Sequence, residues 1–425
     1  MTTTSPAVRI TGPADLVGAI PYLLGFVPDR SVVAVALHGD SRSARLGLTL
    51  RVDLPPAPSV ADCAAFITGH LVRAGAKATI VVLYADGEGL PCDLDQLIHE
   101  LGRCTAAARV DLWDVLQVAK DAWRSCLCGD AACCPPGGTP IDSTAPSLVQ
   151  VHAVAAGLSA LPSRQALADT LKPAESRAVA AVSREISRVI ARRASQSRNA
   201  VESRRARTVR MAKEIVYQRQ LGWRTPLLPW RAARLLTGLA DVGARDRCCQ
   251  WTSGEQGSAA VSLWTELVRL SPPSYAAAPA TLLAYVAWQQ GFGALANIAV
   301  QRALADAPDY SLAQLIGQAL ADGLDPAHCR PEILLATVLR PQGRDGPGGQ
   351  HRQRGEGRPG RGRDPPVQAA NPRGEVCARR DSVLADKMLR AGSLGFLDVL
   401  GNCLEQFVSE LRHRPGGCQL VTDLR

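Results

Sequence analysis

The chain has 425 residues, 46% of them apolar, and a formal net charge of +9 at pH 7. This is enough chain for two domains with cores of their own, and too much apolar residue for a wholly disordered protein. Only five of its 48 basic residues are lysine, a bias of the GC-rich coding kind that weakens arginine richness as a sign of nucleic-acid binding.

Residues 1–16, MTTTSPAVRITGPADL, show no basic start followed by an apolar run, so no signal peptide is expected and a cytoplasmic protein is predicted. Residues 16–26 (LVGAIPYLLGF) read as a short apolar helix interrupted by Pro21. Residues 31–38 (SVVAVALH) and 46–53 (LGLTLRVD) are β-branched strands with a Gly39-Asp40 turn between them, and an antiparallel pair is predicted. Ser59 is the expected cap of a helix ending at Gly75. Residues 79–85 (TIVVLYA) form an apolar run of strand length, the kind buried on both faces of a sheet. A helix over 94–108 and a strand over 110–118 complete a β-β-α-β-α-β order, which predicts a mixed, three-layer-like α/β domain.

The densest chemistry lies at 123–142, WRSCLCGDAACCPPGGTPID. Cys126, Cys128, Cys133 and Cys134 sit within nine residues and must share an environment. A structural zinc site needs four thiolate or imidazole ligands in a tetrahedron. The four sulfurs supply the number but lack the paired two-residue spacers of familiar zinc motifs. A redox or nucleophilic thiol needs a nearby cation to depress its pKa, and Arg124 is available. The third reading, favoured by the spacing, is packing of small thiols in a Pro-Gly loop against Trp123. Asp53, Asp86 and this loop all follow predicted strands and are expected to meet at one end of the sheet, where open α/β sheets bind ligands. As easily, these acids form turns. With thirteen cysteines and no export signal, reduced thiols are expected. The vicinal pair Cys248-Cys249 reads as core.

Beyond residue 145 strand patterns give way to helices at 147–158, 163–171, 175–220, 230–241, 258–270, 277–290, 293–305 and 311–321. The 175–220 stretch carries twelve Lys or Arg against four Glu. Its apolar stripe thins past Ala194, so a break is expected there. Its charge reads as a solvated face, with nucleic-acid binding the weaker alternative. The uncharged stretch 271–301 is broken by Pro272, Pro273 and Pro279, and its apolar run is too short to span a bilayer; a buried helix is expected and no membrane partner. Residues 277–310 resemble one tetratricopeptide repeat, with Leu283, Gly291, Ala296, Ala303 and Pro308 at the pattern positions. Ala284 and Ala287 depart from it. Residues 341–380 are Gly, Arg and Pro text with few apolar residues and predict a disordered linker. A helical stripe at 382–411 follows.

No P-loop, dinucleotide fingerprint, H-E-x-x-H or G-x-S-x-G pattern occurs, and the seven histidines are scattered. No catalytic residue is nominated. Taken together, LVGAIPYLLGFVPDRSVVAVAL, LGLTLRVDLP, CLCGDAACCPPGGTPID, ALPSRQAL, LADVGARDRCC and the run from WTELVRL to ADAPDYSL resemble a bacterial, chiefly actinobacterial, family called domain of unknown function 4192. The resemblance covers most of residues 10–330. It implies a cytoplasmic protein with no assigned activity and carries over no site residue. The text after Pro341 is unlike the family.

The predicted organisation is an α/β domain over 10–142 ending in the cysteine loop, an all-α, repeat-like domain over 145–330, and a disordered C-terminal extension. The predicted function is non-enzymatic: an interaction or regulatory protein that receives a protein partner on its helical domain. The alternative is a small-molecule- or metal-binding enzyme or sensor with its site beside the cysteine loop and zinc as the candidate ion; no other cofactor is expected.

Overall fold

In the first half of the chain, apolar runs of strand length alternate with helical stripes, and a single layered sheet results. The computed structural model describes residues 10–39, 44–87, 89–141, 147–155, 157–194 and 201–329. The linker predicted at 341–380 and the helices predicted at 382–411 lie outside them. Residues 1–327 form one compact unit, and a second begins at His328.

The sheet has six strands in the order β2-β1-β3-β4-β5-β6: β1 (Ser31–His38), β2 (Arg45–Asp53), β3 (Ala78–Tyr84), β4 (Asp111–Ala119), β5 (Ala122–Ser125) and β6 (Thr139–Pro140). Only β3 and β4 are parallel, and the chain between them supplies the crossover helix that a parallel pair needs. The predicted β1–β2 antiparallel pair is present. The central strands bury both faces, which is why β1 and β3 read as unbroken apolar runs. Val32, Ala34 and Ala36 of β1 face α2 (Val60–Arg73) and α3 (Leu94–Ala107), meeting Ile67, Leu71, Leu97 and Leu101. The alternate residues Val33, Val35 and Leu37 face α1 (Pro13–Leu24), meeting Leu16, Val17 and Ile20. The two-residue period of a strand thus builds a three-layer sandwich.

Local details depart from expectation. α1 runs through Pro21 instead of breaking there. Ser59 stands at the N-cap of α2, but its hydroxyl makes no capping bond, because a 3₁₀ turn (Ala57–Ser59) leads into the helix. Gly75 stops that helix as expected, at φ 69°, a backbone conformation open to glycine.

Among the described residues ten α-helices follow: α4 (Leu148–Ala155), α5 (Arg164–Asp169), α6 (Ser176–Ala194), α7 (Val201–Gln220), α8 (Pro229–Leu239), α9 (Val242–Arg247), α10 (Gly254–Leu270), α11 (Ala277–Gln289), α12 (Gly293–Asp306) and α13 (Ser311–Ala321). The basic stretch is therefore two helices, α6 and α7, as the thinning stripe anticipates. α11 and α12 form a hairpin turned at Gly291, φ 82°. α11 is buried on every side and packs against α8, α10, α12 and α13, so the first helix of the hairpin is interior to the layer, while α12 keeps an exposed face at Asn297 and Gln301. Its uncharged sequence, long enough to raise the question of a membrane, belongs to this burial. Among the described residues no helix is long and apolar enough to cross a membrane.

α11 has no cap of its own; the carboxylate of Asp306, at the end of α12, supplies it. Asp306 accepts from the backbone N–H groups of Ser274 (3.0 Å), Ala276 (2.9 Å) and Ala277 (3.1 Å). Trp264 of α10 and Tyr285 of α11 are fully buried, and the Trp251 ring stacks near Trp264 at 6.3 Å. The sheet layer meets the helical layer through His70 of α2. Its Nδ1 lies 3.0 Å from Phe66 O and its Nε2 2.9 Å from Ala321 O, in the last turn of α13.

Candidate thiol site

β4 turns back on itself at Lys120, φ 53°, and the four residues of β5 return along it. This short hairpin carries the cysteine loop. Cys126 still belongs to the ladder: its N–H donates to Val115 O at 2.7 Å. Strand alternation places Trp123 in the cluster on the α1 face and Cys126 against the cluster on the α2/α3 face.

Beyond Cys126 the chain leaves the sheet in a sequence of side-chain-held turns. Ser125 Oγ donates to Asp114 Oδ1 at 2.6 Å and accepts from Leu127 N (3.2 Å) and Cys128 N (3.1 Å). Asp130 Oδ1 accepts from Ala132 N at 2.9 Å, and Asp130 O accepts from Cys134 N at 2.8 Å. These turns, built by short polar side chains that bond the nearby backbone, fold Cys133 and Cys134 back onto Cys128. The three Sγ atoms lie within 4.8 Å of one another. Gly138 closes the loop at φ 75°, where a Cβ would stand 3.0 Å from Trp123 O. Thr139 then pairs with Trp123.

The four nominated cysteines thus divide. Cys126, Cys128 and Cys134 are all half-buried and Cys133 is exposed, but of the four only Cys126 packs against the α2/α3 cluster. Cys126 is outside the sulfur cluster, and burial pushes its thiol pKa up. Cys128 is held below the ordinary thiol value by a backbone hydrogen bond at Asp130 and by the thiols of Cys134 and Cys133. Cys134 and Cys128 in turn push Cys133 up to about 11. One negative charge on the cluster is therefore favoured, on Cys128, and a second is resisted. Arg124, the cation expected to activate a thiol, instead donates to Gln117 Oε1 at 3.0 Å, and its charge acts on Cys126.

The expected convergence of Asp53 and Asp86 with this loop does not occur. Ser31 is level with Asp53 on one side and Tyr84 on the other, and Tyr84 is level with Val118. Both acids therefore belong to the end of the sheet where β2, β3 and β4 finish. β5 reverses direction, and the loop leaves from beside Val115, heading away from that end. A four-residue strand too short to show alternation hid the reversal. Asp53 is exposed and paired with Arg51 at 2.6 Å, a surface ion pair.

Three thiolates suit a soft metal ion. A Zn–S bond of about 2.3 Å sets S···S near 3.8 Å in a tetrahedron, so sulfurs within 4.8 Å need close by at most about 1 Å. The fourth position falls to a water or an external ligand. Among the described residues no other group of three His, Cys, Asp or Glu side chains converges in this way, and Cys128, Cys133 and Cys134 form no disulfide. Cys248 and Cys249 are fully buried, in agreement with their reading as core.

A second concave feature escaped the sequence. α6, α7 and α8 enclose a cleft of about 330 Å³ lined by six arginines. The signal available was the spacing of Arg204, Arg207 and Arg210, which places them on one helix face; that the helix predicted at 230–241 lies beside them could not be read.

No curated protein and no solved structure matches the chain. A family model matches over residues 13–327, which spans the sheet and the helices through α13. The chain belongs to the family described as domain of unknown function (DUF4192).

Proposed function

We propose that this chain is a non-enzymatic regulatory protein whose input is a soft metal ion of the zinc class, held by Cys128, Cys133 and Cys134. The observation that carries this reading is the approach of three sulfurs to within 4.8 Å at a solvent-reached loop. Three ligands with an open position could also serve catalysis. A regulatory role is favoured because, among the described residues, no histidine or carboxylate joins the three sulfurs, and Asp130, whose charge acts on Cys128, holds its own turn.

Elemental analysis of protein purified with reductant tests this. One zinc per chain is expected, lost in Cys128→Ser and Cys133→Ser and kept in Cys126→Ala. Protein that neither carries metal nor competes with a chromogenic zinc chelator removes the reading. Equal loss in Cys126→Ala would replace the three-sulfur site by a four-sulfur one.

A protein partner on the helical layer is a second reading, favoured by the exposed side chains of Tyr217, Leu221, Trp223 and Leu228 at the end of α7 and just beyond. Exposed aromatic and aliphatic groups in one neighbourhood mark interaction surfaces. Crosslinked complexes formed in the native cell are expected to disappear in the Trp223→Ser, Leu228→Ser double variant. A complex captured equally by the variant excludes this surface.

A further inference from the structure

Arginines from three helices meet in one cleft. Arg192 and Arg193 come from the last turn of α6, Arg204, Arg207 and Arg210 from one face of α7, and Arg234 from α8. Val189, Thr208 and Met211 form its less polar base. Glu214 is the sole carboxylate among the residues lining the cleft, and it already faces Arg231 at 3.6 Å. Glu185, at the rim, pairs with Arg188. Arginines outnumber the single lining carboxylate, which is itself engaged, so positive charge is in excess in the cleft. Arg193 registers it: burial and the charges of Arg204 and Arg207 push its pKa down, against the charge of Asp241. Arg193 is also tied in place, donating to Thr237 O at 3.0 Å, and Arg234 is laid over the Trp230 ring at 5.0 Å. Like charges held together by fixed partners are a cost to the folded protein unless an anion completes them.

We propose that this cleft binds a condensed polyphosphate group of three or more phosphates, free or carried by a nucleoside. Three arguments select that chemistry. Guanidinium groups match phosphate oxygens with paired N–H donors and stay charged at any working pH. The cleft, about 330 Å³, falls in the range of small-molecule sites and is short for a polymer track. A single phosphate answers only one or two guanidiniums, whereas a triphosphate carries roughly four charges in a similar volume and meets arginines from all three helices. The Trp230 ring, at the rim, already carries Arg231 at 5.3 Å and Arg234 at 5.0 Å, and a nucleoside base would stack there by displacing one of them. The site is remote in sequence from the thiol cluster, so the proposal is independent of the metal reading.

Isothermal titration of the full chain with sodium tripolyphosphate, ATP and orthophosphate, in EDTA, tests it. Tripolyphosphate is expected to bind at least about 100-fold more tightly than orthophosphate, as several charge-assisted contacts replace one. The affinity should fall steeply with salt. Arg207→Ala and Arg234→Ala should each weaken it about tenfold or more, while Arg103→Ala, on α3, should not. ATP binding more tightly than tripolyphosphate, with quenched tryptophan fluorescence, assigns the source to a nucleotide; equal binding assigns it to the free chain. Should the variants unfold, mass-spectrometric mapping of phenylglyoxal modification on the unaltered protein replaces them: tripolyphosphate should protect Arg204, Arg207 and Arg210 and leave Arg103 reactive. Tripolyphosphate that binds no better than orthophosphate, or protects none of these arginines, overturns the proposal. So does affinity only for oligonucleotides, growing with their length.

Discussion

Replacing Asp306 by alanine should loosen the helical layer at its centre. α11 begins with no capping side chain of its own, and a helix start leaves its first backbone N–H groups without partners. Pro279, third in α11, contributes no N–H and removes one of those needs. The Asp306 carboxylate answers two more, at Ala276 and Ala277, and holds Ser274 in the approach. Hydrogen bonds to a charged group contribute about 1.5–3 kcal/mol each, and loss of an N-cap costs about 0.5–2 kcal/mol. Water can replace the exposed bond to Ser274 but has less access to the two part-buried ones. The expected loss for Asp306→Ala is therefore about 3 kcal/mol, and for Asp306→Asn, which keeps one acceptor oxygen, about half of that. At about 2 °C per kcal/mol for a domain of this size, the alanine variant should melt about 6 °C lower. Urea titration and calorimetry measure both variants, and hydrogen exchange should show faster exchange at Ala276 and Ala277. Arg302 lies 3.9 Å from Asp306, so Arg302→Ala controls for the ion pair and should cost under about 1 kcal/mol. If Asp306→Ala lies within about 0.5 kcal/mol of the unaltered protein, or costs no more than Arg302→Ala, the capping argument is wrong.

His70 should make stability fall in mild acid. Burial holds its pKa below the ordinary 6.5, outweighing the carbonyls of Phe66 and Ala321, and the Arg73 charge acts in the same direction, against Asp322. The unfolded chain then binds more protons between the folded-state value and 6.5, so stability is full above about 6.5 and declines as the pH falls from there. Urea midpoints between pH 7.5 and 5.5 should show a shallower slope in His70→Gln; an unchanged slope assigns the acid sensitivity elsewhere. Gly138→Ala forces a Cβ to within 3.0 Å of Trp123 O at φ 75°; about 1–3 kcal/mol of strain is expected, with weaker metal retention by the thiol loop. Wild-type stability and metal content in that variant would refute the account of loop closure. Thiol titration of the metal-free protein under native conditions should find Cys128 reactive first and Cys248 and Cys249 only after unfolding, since the first is held below the ordinary thiol value and burial raises the other two. Trp264→Ala empties a fully buried site and should cost about 3–5 kcal/mol, read as a lowered urea midpoint.

Long periodic segments were legible. β1 and β3 advertise burial on both faces by unbroken β-branched runs, and the helices from α10 to α13 follow their apolar stripes closely. What escaped was short or depended on partners distant in sequence. β5, with four residues, cannot display an alternation, yet it decides which way the cysteine loop faces. Composition alone named the four cysteines. Only the ladder bond from Cys126 to Val115 shows why Cys126 joins the core while the other three meet outside it. The arginines of α6 and α7 read as a solvated face, and Arg192, Arg207 and Arg210 are indeed exposed; what those helices do not announce is that α8 brings Arg234 beside them. Pro21 overstated its effect, since local propensity yields to the packing of α1 on the sheet.

Total burial of α11 also dictates an order of manufacture. Its neighbours come from both sides of it in the chain: α8 and α10 leave the ribosome before it, α12 and α13 after. From the moment Leu270 has been made until Ala321 follows, the earlier helices hold an apolar seat with no occupant. At about 5–20 residues per second that interval lasts about 3–10 s. Pausing in this stretch prolongs the exposure, and a chain cut short within it keeps the seat open for good. Truncations ending before Ala277 are thus expected to aggregate, whereas those ending beyond Ala327 retain the closed layer.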